Sequence, residues 1–118
     1  MSTLTAAAIA AYDSTALALD EDLADYDNGA TENVISGFDI LSNVLIRIKN
    51  TAAAKTIVFV ASDTGLNRGL GSLTRVLAQN AEQFYQLEAE RFQNADGSVH
   101  FTLEAGATGI ISVVELLQ

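Results

Sequence analysis

"NVLIRIKN", residues 43–50, sets Val44, Ile46 and Ile48 on one face and Leu45, Arg47 and Lys49 on the other. A strict alternation of this kind predicts a β-strand with one face in a core and one toward water. The segments downstream repeat the theme. "KTIVFVA" (55–61) is rich in β-branched residues and allows burial on both faces. "SLTRVLA" (72–78) and "EQFYQLE" (82–88) come next, with "QNAE" as the turn between them. "SVHFTLE" (98–104) alternates Val99, Phe101 and Leu103 against His100, Thr102 and Glu104, and "GIISVVELL" (109–117) forms a final hydrophobic run.

Turn chemistry separates these runs, in "NTAAAK", "ASDTGLNRGLGS", "NADGS" and "EAGATG". Asp96-Gly97 is the clearest hairpin signal, because such a pair accepts the positive φ angles of a tight turn. Six short strands without a convincing helix between them predict an all-β fold, an antiparallel β-sandwich of jelly-roll type, over residues 31–118. Residues 1–30 read differently. Ile9, Tyr12, Ala16, Leu19, Leu23 and Tyr26 keep helical spacing, yet "DST" at 13–15 interrupts it. This segment is expected to be an N-terminal arm, extended or with a short helix, that gains order by packing on something else.

Composition narrows the function classes. The 118 residues are 49% hydrophobic and 18% charged, a globular balance with no apolar run long enough to cross a bilayer as a helix. No Lys or Arg precedes "LTAAAIAA", so that stretch is not read as a signal peptide. Cysteine is absent, which removes disulfides and thiolate metal sites. The net charge is −9, and residues 1–39 hold eight of the fifteen acids and no Lys or Arg. So acidic a chain repels a phosphate backbone, and neither nucleic acid nor membrane is an expected partner.

The motifs that could carry chemistry each fail a spacing test. "GLNRGLGSLT" (65–74) has Gly65, Gly69 and Gly71 but lacks the Lys-Ser/Thr pair of a P-loop. The next element reads as a strand, so no helix N-terminus receives a phosphate, and a simple strand connection is expected. "DEDLADYDNG" (20–29) clusters oxygen ligands, but counted from Asp25 the glycine arrives one position early for a calcium loop. A solvated acidic segment is the expectation. The lone histidine, His100, sits on the polar face of its strand without a triad context, and Glu88 and Glu90 show no acid–base arrangement. No enzyme, cofactor or metal site is expected.

From residue 44 onward the order of segments resembles the small head-decoration (cement) proteins of tailed bacteriophages. The resemblance rests on Lys49 and Asn50 at a strand end and on Gly69, Gly71, Leu73 and Thr74 leading into a strand. It continues through Arg91, Phe92, Asn94, Asp96 and Gly97 in "RFQNADG" and a hydrophobic last strand. It implies a β-sandwich on the outer surface of the viral capsid, bound to the major capsid protein, often as a homotrimer, stabilising the head. No catalytic residue is implied. The arm residues Leu4, Ile9 and Tyr12 and the scarce cations Arg68 and Arg75 are the expected partner contacts. Two other readings remain open at this point: a carbohydrate- or adhesion-type β-sandwich binding module, and another virion subunit of the head-completion or tail type.

Overall fold

The computed structural model describes residues 2–5, 7–10, 21–29 and 31–117. Among these residues ten strands form two sheets. They are β1 (Thr3–Thr5), β2 (Ala7–Ala10), β3 (Glu21–Asp22), β4 (Asn33–Ser36), β5 (Val44–Asn50), β6 (Lys55–Phe59), β7 (Leu73–Leu77), β8 (Glu82–Tyr85), β9 (Val99–Leu103) and β10 (Gly109–Leu117). The first sheet runs β1-β4-β9-β6-β7, and the second β2-β10-β5-β8, with β3 also pairing β10. The fold is a mostly antiparallel all-β sandwich.

The alternation in 43–50 decides which face goes inward. Val44, Ile46 and Ile48 are buried, while Leu45, Arg47 and Lys49 lie on the other, half-buried face. β10 pairs β5 antiparallel over seven residues, from Gly109 opposite Asn50 to Glu115 opposite Val44. Its own buried positions, Ile111 and Val113, therefore join the same core. From the first sheet come Ile35, Ile57, Phe59, Leu77, Val99, Phe101 and Leu103. Each such side chain withdrawn from water contributes roughly 1.5–3 kcal/mol. β6 differs from its expectation of burial on both faces. Ile57 and Phe59 are buried but Thr56 and Val58 only partly, because the other sheet covers just one face of the strand.

Two corrections concern local elements. Asp96-Gly97 does turn the chain, with Gly97 N–H donating to Asn94 O at 2.9 Å. It does not join two strands: it links a one-turn helix, α1 (Ala89–Phe92), to β9. The strand expected over 82–88 stops at Tyr85 for the same reason, since the chain then enters α1.

The N-terminal segment is built into the sandwich wherever it is described. β1 pairs β4 in parallel and β2 pairs β10 in parallel, which puts strands from this segment in both sheets. Leu23 closes part of the core from a 3-10 turn at Leu23–Asp25. Leu4 is 4% exposed and belongs to the core. Expected among the partner contacts, Leu4 is placed here in the chain's own core, where pairing opposite Ile35 turns its side chain inward. Ile9 contributes backbone to β2 opposite Leu116, and Tyr12 lies outside the described residues.

Two buried polar side chains fasten the sheets and loops together. Asn50, fully buried at the end of β5, donates its amide to Leu77 O at 2.8 Å, at the end of β7 in the other sheet. The same amide nitrogen reaches Ala52 O at 3.1 Å, and its Oδ1 accepts from Ala52 N at 3.1 Å. Glu115, 4% exposed, points inward from β10 and accepts the backbone N–H groups of Asp39 at 2.9 Å and Ile40 at 2.7 Å. A buried carboxylate is tolerated here because backbone donors replace its water.

Replacing Asn50 by Ala leaves the buried Leu77 carbonyl of the first sheet, and the part-buried carbonyls of Ala52 and Ala53 in the β5–β6 turn, without this donor. The expected cost is about 2–4 kcal/mol, read as a lower urea midpoint at unchanged slope. A midpoint equal to wild type would refute the staple.

Candidate docking surface

Between β6 and β7 the chain leaves the first sheet and returns through residues 60–72, the glycine-rich stretch. Ser62 organises its start. The buried hydroxyl donates to Gln93 O at 2.7 Å and accepts from Gly65 N at 2.7 Å and Thr64 N at 3.0 Å. Three further bonds tie the loop to α1: Ser62 N to Arg91 O at 2.7 Å, Asn67 N to Glu90 O at 2.8 Å, and Arg91 Nε to Gly71 O at 2.8 Å. The Arg91 guanidinium itself lies over the buried Phe92 ring, 4.8 Å from its centroid. The tip winds into a 3-10 turn at Arg68–Leu70, closed by Gly71 at φ 80°, a backbone angle that favours glycine.

This loop is held by its backbone and shows its side chains to solvent. Leu66 is 85% exposed and Leu70 65%. Exposed Arg68 stands between them, its Nη1 donating to Gly65 O at 2.9 Å. Two large apolar groups on an ordered turn cost solvation free energy, and a rigid apolar tip loses little entropy on docking. The glycines serve the turn, as the sequence suggests, and one of them also serves close approach. A Cβ on Gly65 would stand 2.2 Å from Glu90 O, whereas one on Gly69 would meet nothing within 4 Å.

Of the five residues expected at a partner interface, the four that are described do not come together. Leu4 and Arg75 lie on strands at opposite edges of the first sheet, and Ile9 belongs to the second. Arg75 pairs across from Ile57 and shares its inward face, yet it is exposed because β7 is an edge strand among the described residues. Its charge is felt at Tyr85: burial pushes that hydroxyl's pKa up, and Arg75 partly opposes the rise. Of the four described, only Arg68 stands on the apolar tip. Leu66 and Leu70 are absent from the sequence-based expectation. The one signal they carry is two leucines four apart among glycines, outside any alternating run.

Beside the loop opens a cleft of about 430 Å³ whose polar lining includes Glu32, Asp63, Asp96 and His100. His100 Nδ1 lies 2.7 Å from Glu32 Oε1 on the outer face of the first sheet. The Ser98 hydroxyl and N–H donate to Asp96 Oδ1 at 2.6 and 3.0 Å and hold that carboxyl below the usual carboxylate range. No group of three or more His, Cys, Asp or Glu among the described residues is arranged to hold a metal ion. Comparison with family models, curated proteins and solved structures finds no match for this chain.

Gly65→Ala should cost about 1–3 kcal/mol by forcing backbone apart, and Gly69→Ala should change stability by less than about 1 kcal/mol. Equal thermal denaturation curves for the two variants would contradict the close approach. Asp96 has a depressed folded pKa, so its contribution is present above the unfolded carboxylate value and lost as pH falls through the folded one. Asp96→Ala should be less stable than wild type at pH 7, with the gap closing below the usual carboxylate range. A gap independent of pH would refute the ionic origin.

Proposed function

We propose that this chain is a non-enzymatic virion protein: a decoration or cement subunit seated as a trimer on the outer surface of a tailed-phage head, against the major capsid protein. The observation that carries the reading is the loop tip, where Leu66 and Leu70 are exposed on a backbone pinned to α1. That is the design of an adhesive surface. The resemblance in "GLGSLT" and "RFQNADG" supports the assignment to a phage head, and those segments form this loop and its α1 support. Affinity arises from multiplicity. A modest contact of about 800 Å² per partner becomes durable when several linked copies bind one shell.

The test is binding of the purified chain to purified heads that lack it, read by co-sedimentation. Saturable binding at regular copy number is expected. The Leu66→Ser/Leu70→Ser variant should bind at least about tenfold more weakly through lost avidity. A folded chain that does not bind heads at micromolar concentration would overturn the reading.

A further inference from the structure

The loop tip and the neighbouring cleft are complementary to each other. The tip presents apolar, cationic and apolar side chains in order: Leu66, Arg68 and Leu70. The cleft offers the matching set, with Val60, Ala61 and Ala95 as apolar wall beside the carboxylates of Glu32, Asp63 and Asp96. Within one chain the two do not meet. Arg68 makes no ion pair among the described residues, its guanidinium turned to the carbonyls of Thr64 and Gly65. Of the cleft acids, Glu32 is engaged by His100 and Asp96 by Ser98. Asp63 is exposed and accepts only a long 3.4 Å bond from Ala95 N among the described residues, so it keeps capacity for a cation.

We propose that the occupant of this cleft is the Leu66–Arg68–Leu70 tip of a second copy of the chain, with Arg68 paired to Asp63 of the neighbour. Charge favours this occupant. On a chain of net charge −9 a cation between two leucines finds its complement in an acidic, partly apolar recess of the same chain. The contact joins tip to cleft: used reciprocally it closes a two-fold pair, and used head to tail it closes a ring where the rotation between successive copies brings the last back to the first. Asp63 begins the loop and Arg68 caps it, which places the two halves of the contact side by side on one end of the sandwich. The inference rests on the reading of this loop as an adhesive surface, but it concerns copy-to-copy contact and is separable from shell binding.

Sedimentation velocity of the isolated full chain over a concentration series tests it. Wild type should form a discrete small oligomer. Arg68→Asp and Asp63→Arg should each weaken association at least about tenfold, and the double variant, with the charges exchanged, should recover it. Both positions are exposed, and circular dichroism checks that each variant stays folded. A wild-type chain that remains monomeric at millimolar concentration would overturn the proposal, as would single variants that associate like wild type or a double variant that fails to recover. If the chain binds heads yet stays monomeric, this inference falls and the functional reading stands. If it associates yet ignores heads, the reverse holds.

Discussion

The pairing of β10 with β5 is the constraint on which the rest of the molecule depends. Seven consecutive residue pairs fix its register, and a slip of one would turn Ile111, Val113 and Glu115 out of the core together. On its other side β10 pairs β3 and β2, so the final strand also anchors what is described of the first third of the chain. Glu115 extends that anchoring beyond the sheet by gathering the N–H groups of Asp39 and Ile40. Asn50, at the far end of the same pairing, reaches across to the end of β7. The first sheet and the 39–40 loop are thus tied to one pair of strands by buried polar side chains.

Strand β5 is also the most legible part of the sequence. Val44, Ile46 and Ile48 alternate cleanly because one face of β5 is buried and the other is not, and Val99, Phe101 and Leu103 obey the same rule in β9. The elements that are hard to read have no such periodicity. β4 is four residues long, too short to establish alternation, and β1 and β2 are placed by parallel pairing with distant strands. Parallel partners at long separation leave no local turn signal to read. The polar staples are invisible for another reason. Nothing in "IKN" or "VEL" says that Asn50 and Glu115 are buried, since their donors and acceptors come from elsewhere in the chain.

The candidate surface shows the same division. The glycines of 65–71 and the cation between them are conspicuous in the sequence, and a turn is the right consequence to draw from them. The exposure of Leu66 and Leu70 is not legible, because it depends on Ser62, Glu90 and Arg91 holding the loop away from the core. The spread of Leu4, Ile9 and Arg75 over different strands is a matter of strand order, which no local pattern encodes. The pinned apolar tip and the acidic recess beside it are the two features on which the proposal of adhesion in several copies rests.

A cryo-electron-microscopy reconstruction of assembled phage heads carrying this chain tests that account most directly. It should place the chain on the outer surface in closed rings, with residues 65–71 of each copy covered by a neighbour. Isolated copies with the tip facing solvent, or density for the chain in the tail or inside the shell, would contradict it.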